Sequence, residues 1–479
     1  MTLSPTIFYG ALAAVLLSVC ATSDAADWSR FRGPNGSGVA TDSKSLPSEF
    51  SDTQNLKWKI ELPGRGSSSP IVVGDRVLLT CWSGYGQSPE DVGDMKALKL
   101  HLLCYQRATG KQVWNQTIDP HFPEEPYRGM FAQHGYASHT PASDGETVFV
   151  YFGKSGLYAF DLDGKKLWNK QVGTGADPRG WGSASSPILY KDLVIVTASA
   201  ESQAIIAFNK KSGEQVWKQE AEGFSGTWGT PVIVEVDRDR SDLVIGVPYE
   251  IWGINPDSGK LRWYCEASQD DSYRSSVVAE GDTVFAVEGR NGGSFAVRAG
   301  GKDDVTKTNI LWSGRERNNI GSPIVLNGQV YFVSGRIVTC VDAKTGKVIY
   351  ESRLASKRSA ADSRAPAVRE PAPVRQGGSG QGGPGQGGFR GGGGGGGGGG
   401  GMGGQDYSSP VAGDGKLFFV GRNGEIFVIK PGSTFEQLSV NRLTDEPEDF
   451  SASPAISGSQ LFIRSSKHLY CVEQSQAGR

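Results

Sequence analysis

Ser186-Pro187-Ile188-Leu189 is followed by Leu193-Val194-Ile195-Val196 and then by Ile205-Ile206-Ala207-Phe208-Asn209. A polar run, Lys210-Lys211-Ser212-Gly213-Glu214, leads on to Gln215-Val216-Trp217. Apolar stretches of strand length, split by turn residues, read as a four-stranded antiparallel unit. The unit recurs along the chain. Its Ser/Thr-Pro mark returns at Pro70, Pro141, Pro187, Pro231, Pro323, Pro410 and Pro454, and Ser275-Ser276-Val277 stands where an eighth mark is due. The spacing is 46 residues from Pro141 to Pro187, and 44 from Pro187 to Pro231 and from Pro410 to Pro454. Self-similarity at such a period is the signature of a repeat architecture.

The turn into the last strand has its own signature. Ala108-Thr109-Gly110-Lys111-Gln112-Val113-Trp114 matches Asp163-Gly164-Lys165-Lys166-Leu167-Trp168, Lys211-Ser212-Gly213-Glu214-Gln215-Val216-Trp217 and Asp257-Ser258-Gly259-Lys260-Leu261-Arg262-Trp263. Lys344-Thr345-Gly346-Lys347-Val348-Ile349-Tyr350 puts Tyr in place of Trp. The glycine supplies the positive φ that closes the hairpin. The aromatic side chain on the outer strand then packs between neighbouring units, and its N–H needs a partner. Trp58, Trp114, Trp168, Trp217, Trp263, Trp312 and Tyr350 are therefore the expected docking aromatics. Aligning the third strands places Cys104, Ala159, Ala207, Gly253, Ala296, Cys340, Val428 and Cys471 in one column of small residues, as expected where sheets press together. Its cysteines read as small buried hydrophobes.

Eight four-stranded units predict an all-β fold, an eight-bladed β-propeller of antiparallel blades. The last unit stops at Tyr470-Cys471-Val472-Glu473, before its outer strand. Asn55-Leu56-Lys57-Trp58-Lys59-Ile60 carries a Trp at the matching register, so the N-terminal strand is expected to complete blade eight. Ring closure removes the exposed edges of an open stack. The predicted organisation is a signal peptide over residues 1–25, a capping arm over 26–54, and the propeller over 55–475. A disordered Gly-rich insertion over 355–405 separates blades six and seven.

Of 67 glycines in 479 residues, 21 lie between Gln376 and Gln405. Such composition cannot bury apolar area. The tract carries Arg353, Lys357, Arg358, Arg364, Arg369, Arg375 and Arg390 against Asp362 and Glu370. Overall, 49 Lys and Arg face 51 Asp and Glu, a net charge of −2, which argues against a nucleic-acid binder. Ile7 to Ala21 is apolar but short for a membrane span, and Ser23 and Ala25 supply the small residues of a signal-peptidase site. Export to the periplasm or cell envelope is expected, with no transmembrane span after cleavage. A lipid anchor at Cys20 is not, because Val19 is bulkier than lipoprotein boxes prefer. The five remaining cysteines show no disulfide framework and no CxxC.

These repeats resemble the PQQ-like (quinoprotein-type) propeller family, whose docking motif is nearly matched by Cys340-Val341-Asp342-Ala343-Lys344-Thr345-Gly346. The likeness spans about residues 55–475 outside the linker. Asp27-Trp28-Ser29-Arg30-Phe31-Arg32-Gly33-Pro34 is similar to the mature start of many exported members. The resemblance implies two classes of function: PQQ-dependent alcohol or sugar dehydrogenases, which use Ca²⁺ or a lanthanide, and non-enzymatic envelope scaffolds. The adjacent cysteine pair of the dehydrogenases is absent here, and no catalytic Asp or Ca²⁺ ligand transfers by motif. Asp237-Arg238-Asp239-Arg240-Ser241-Asp242 lacks the turn Gly and distal Glu of a calcium loop and reads as a hairpin. His101, His121, His134, His139 and His468 have no metal-ligand spacing.

In a propeller, the turns between second and third strands share one face with the loops leading into the inner strands. The turns place Lys154, Arg290, Arg336, Arg422 and Arg464 there. The loops place Arg65, Tyr136, Trp181, Trp228, Tyr273, Tyr407 and Phe450 there. A basic ring with aromatic neighbours suits an acidic peptide, a glycan or a partner loop. The expectation is a monomeric, exported, non-catalytic scaffold that binds an envelope protein or polysaccharide and needs no cofactor. A PQQ- and Ca²⁺-dependent dehydrogenase is the alternative.

Overall fold

The computed structural model describes residues 27–88, 90–289, 292–356 and 405–475. The signal-peptide reading with Cys20, Arg290, and the Gly-rich insertion from 357 to 404 lie outside the described residues. Within them the chain forms eight sheets, each a meander of four antiparallel strands. Blade three shows the pattern: Ile188–Tyr190, Leu193–Ala198, Ala204–Asn209 and Gln215–Glu220 run outward from the axis. The inner strands of neighbouring blades touch around the axis, and that of blade one, Ile71–Val73, meets that of blade eight, Ala455–Ser457.

The ring closes as expected. Leu56–Glu61 pairs antiparallel with His468–Glu473, with Trp58 opposite Cys471. The apolar cores lie between blades. One joins Val194, Val196 and Ile206 of blade three to Phe149 and Ala159 of blade two.

The column of small residues has a direct cause. Cys104 faces Trp114, Ala159 faces Trp168, Ala207 faces Trp217, Gly253 faces Trp263, Ala296 faces Trp312 and Cys340 faces Tyr350 across the ladder. A β-bulge follows each of these pairs on the turn side, re-aiming the strand there. A Cβ added at Gly253 would overlap the Trp263 indole.

Five of the six docking tryptophans seat on the turn of the next blade. A Cβ at Gly213, where φ is +70°, would come within 2.7 Å of Trp168. The Trp168 Nε1–H donates to the Lys210 carbonyl of that turn at 2.9 Å. Trp58 repeats the arrangement with Arg107, Trp114 with Leu162, Trp217 with Pro256 and Trp312 with Ala343, at 2.8–3.0 Å. Blade four departs from it. The Trp263 Nε1–H donates to buried Asp242 at 2.7 Å, and Arg240 and Arg262 neutralise that carboxylate at 2.9 and 2.5 Å. A short parallel strand, Asp303–Asp304, then covers the outer edge of this blade. The Asp237 run forms the hairpin between Val232–Glu235 and Ser241–Val247.

The N-terminal arm crosses the channel at the level of the inner strands. Trp28 bridges to Val72 of blade one. Arg30 Nη2 donates to the Pro231 carbonyl at 3.1 Å, and Arg32 Nη2 to that of Pro323 at 2.6 Å. Val39–Ala40 then adds a parallel strand to Val411–Gly413 of blade seven. Leu46 and Phe50 bury against blades seven and eight before the chain reaches its closing strand.

Candidate functional site

The Ser/Thr-Pro marks converge on the axis. The Ser69 N–H donates to Thr140 Oγ1, Thr140 to Ser186, Ser186 to Thr230, Thr230 to Ser276, Ser276 to Ser322, Ser322 to Ser409, and Ser409 to Ser453, at 2.8–3.0 Å. Each blade therefore hands its N–H to the hydroxyl of the next. Ser276, whose blade lacks the proline, keeps its place in the ring. Proline fixes φ and has no donor of its own, so it starts the inner strand without competing for these oxygens.

All eight hydroxyl residues line a cavity of about 140 Å³ that opens on the face carrying the loops between blades. Phe31 of the arm also lines it, between the two residues, Arg30 and Arg32, that anchor the arm to the inner strands. Trp181 and Trp228 form one wall, with ring centroids 5.2 Å apart. The Trp228 Nε1–H donates to the Gly182 carbonyl at 2.7 Å, which fixes the indole. Tyr407, Met130 and Ile320 complete the apolar part, and Arg274 is the one cation among the lining residues, held by Asp270 at 3.1 Å.

The other expected face residues are placed differently. Lys154 pairs with Glu125 at 2.9 Å, Arg336 with Glu425 at 2.7 Å and Arg422 with Asp449 at 2.6 Å. Arg422 also lies over the Tyr407 ring, 5.1 Å from its centroid. Arg65 donates to the Gln87 carbonyl at 3.1 Å. Tyr273, Phe450 and Arg464 are buried, and Arg464 donates to Ser68 rather than facing solvent. Thus Trp181, Trp228 and Tyr407 meet at the cavity. Lys154, Arg336 and Arg422 are held in ion pairs outside it.

Arg274, Phe31 and the hydroxyl ring were not singled out as site residues from sequence. The hydroxyls were visible as the repeat mark itself. Also unread was a buried polar cluster between blades two and three. There Glu201 accepts from Tyr151 Oη at 2.7 Å and from Ser183 Oγ at 2.6 Å, and Ser183 Oγ also meets His139 Nε2 at 3.1 Å. Burial holds His139 down at about 3, hence neutral, and raises the Glu201 pKa. Nearby Glu124 is pushed up to about 7, mainly by desolvation. Glu288, beneath the Arg274 backbone, is raised to about 7 for the same reason.

A family model described as outer membrane protein assembly factor BamB matches residues 99–352, just over half of the chain. The chain belongs to this PQQ-like β-propeller family. Among its relatives, polyvinylalcohol dehydrogenase of Sphingopyxis sp. (strain 113P3) is 24% identical over 268 residues, covering 46% of this chain and 36% of that one. Outer membrane protein assembly factor BamB of Burkholderia pseudomallei (strain K96243) is 30% identical over 154 residues, covering 32% and 30%. The chain thus spans about a third of the length of the curated relatives it matches. The crystal structure of BamB from Moraxella catarrhalis shares the fold, with a TM-score of 0.56 at 12% identity over 88% of this chain and 98% of that one.

The dehydrogenase side of the family implies PQQ and a metal on the axis, and the residues here do not fit them. The cavity, about 140 Å³ and open on one face, is close to the roughly 150 Å³ that accommodates one benzene. No group of His, Cys, Asp and Glu among the described residues has the geometry to hold a metal ion. The described cysteines, Cys81, Cys104, Cys265, Cys340 and Cys471, are buried inside the sheets.

Proposed function

We propose that this chain is an exported, non-catalytic propeller scaffold of the cell envelope, docking a protein or glycan partner on the face around the axial mouth. The carrying observation is the Trp181–Trp228 pair at the mouth, on a face whose Lys154, Arg336 and Arg422 are already paired with local carboxylates. Such a surface is preorganised: a partner meets aromatic area and oriented dipoles without ordering long charged side chains first. The family match to an outer membrane assembly factor supports an envelope role. No helix among the described residues is long and apolar enough to cross a membrane.

A PQQ-dependent dehydrogenase is the second reading, favoured by the polyvinylalcohol dehydrogenase relative. One pair of measurements separates them. Affinity capture from the native envelope is expected to retain a partner that Trp181→Ala releases. Dye-linked oxidation of alcohols or sugars, with added PQQ and Ca²⁺, is expected to show no turnover. Robust turnover overturns the scaffold reading, and so does a captured set that Trp181→Ala leaves unchanged.

A further inference from the structure

We propose that the axial cavity binds a free single-ring aromatic carboxylate, its ring against Trp181 and Trp228 and its carboxylate turned toward the hydroxyl ring. This inference does not rest on the scaffold reading, and it replaces the cofactor that the cavity does not fit.

Three observations converge. The first is the hydroxyl ring. Seven of its oxygens accept a backbone N–H from the preceding blade. A hydroxyl that accepts in this way still has its own proton to give. The cavity is therefore walled by O–H donors from all eight blades, and such a wall suits an acceptor-rich group on the axis.

The second is positive charge on the arm that crosses the channel, carried by two guanidiniums that sit one residue beyond the ring and do not themselves line the cavity. Arg30 and Arg32 are 8% and 0% exposed. Each anchors to the carbonyl of a proline that directly follows a ring residue, Pro231 after Thr230 and Pro323 after Ser322. Among the described residues neither has a carboxylate partner, and Arg30 Nε, Arg32 Nε and Arg32 Nη1 are buried without an acceptor. Burial lowers their pKa values to about 10 and about 9, so both remain charged at neutral pH. A buried cation without a partner is costly, and an anion nearby on the axis offsets that cost. Arg274, the cation of the cavity lining itself, is already paired with Asp270 at 3.1 Å and offers its remaining donors there.

The third is size and shape. About 140 Å³ takes one six-membered ring. Trp181, Trp228 and Phe31 give it aromatic faces for offset or edge contacts. A small inorganic anion would leave those faces unfilled, and a neutral hydrocarbon would leave the guanidiniums without a counter-charge.

The test is a titration of the full chain followed by calorimetry and tryptophan fluorescence. The probes are benzoate, benzyl alcohol (same ring, no charge), acetate (same charge, no ring) and PQQ. Benzoate is expected to saturate and to perturb the fluorescence. It should bind at least about tenfold tighter than benzyl alcohol, the ratio expected for one charge-assisted hydrogen bond, and tighter than acetate, which lacks the ring that the aromatic wall covers. PQQ is expected to bind more weakly than benzoate. Arg274→Gln and Trp181→Ala should each weaken benzoate, and the comparison among probes on the unmodified protein stands even where a variant fails to fold. No saturable benzoate binding, equal affinity for benzyl alcohol, or tighter binding of PQQ would overturn the proposal.

Discussion

At the scale of single residues, the docking aromatic and its small partner form one device. Trp217 is buried against Ala207 across the ladder, while its N–H reaches Pro256 of the next blade. Trp217→Ala removes both the packing and the interblade bond. Urea unfolding should show a loss of about 3–5 kcal/mol, the usual range for a buried aromatic cut to alanine, while Trp217→Phe, which keeps most of the area, should lose less. The acidic residues of the top face make a second residue-scale prediction. The Glu124 and Glu288 carboxyls stand at about 7 in the folded chain against an ordinary 4.5, raised by burial. The folded state therefore holds their protons more tightly than the unfolded one. Their contribution to stability is full below about pH 4.5 and is lost as pH rises through 7. Melting measured from pH 5 to pH 8.5 should fall across that window, and Glu288→Gln should flatten the fall. A slope that Glu288→Gln leaves unchanged would remove Glu288 as its source.

At the scale of elements, the closing strand matters most. Leu56–Glu61 supplies the outer strand of blade eight, and the interblade core there includes Trp58, Phe462 and Cys471. Without it, His468–Glu473 would present a bare edge, and the contact of Trp58 with Gly110 of blade one would vanish. Deleting residues 55–61 should lower the melting temperature and promote association through the exposed edge, both readable by calorimetry and light scattering. An unchanged melting temperature would contradict closure by this strand.

At the scale of the whole molecule, eight equivalent blades do not make eight equivalent loops. The repeat brings one Ser or Thr per blade to the axis, a symmetric ring. The arm breaks that symmetry by lying across the channel and lending Phe31 to the cavity. The loops break it again by setting Trp181, Trp228 and Arg274 on three consecutive blades, in one sector of the mouth. Function on this fold belongs to those departures, since the fold alone is shared by scaffolds and dehydrogenases.

Blade number, blade register and the closing strand were legible in the residues because each depends on a pattern that recurs at short separation. The turn glycine, the tryptophan after it and the small residue opposite lie within one hairpin and repeat from blade to blade, so each blade checks the others. The site was legible only in part. Trp181, Trp228 and Tyr407 sit in loops that the repeat register assigns to the blade entries, and they line the cavity, yet the pairing of Lys154 with Glu125 or Arg336 with Glu425 depends on loops from different blades meeting in space. Nothing local in Asp27-Trp28-Ser29-Arg30-Phe31-Arg32 says that two charged guanidiniums will be buried beside the axis with a phenyl ring between them. Sequence by itself determined the propeller, because its stabilising contacts are periodic. Only the tertiary structure decided which charges are neutralised and what the axis encloses, because those contacts join residues hundreds of positions apart that follow no period.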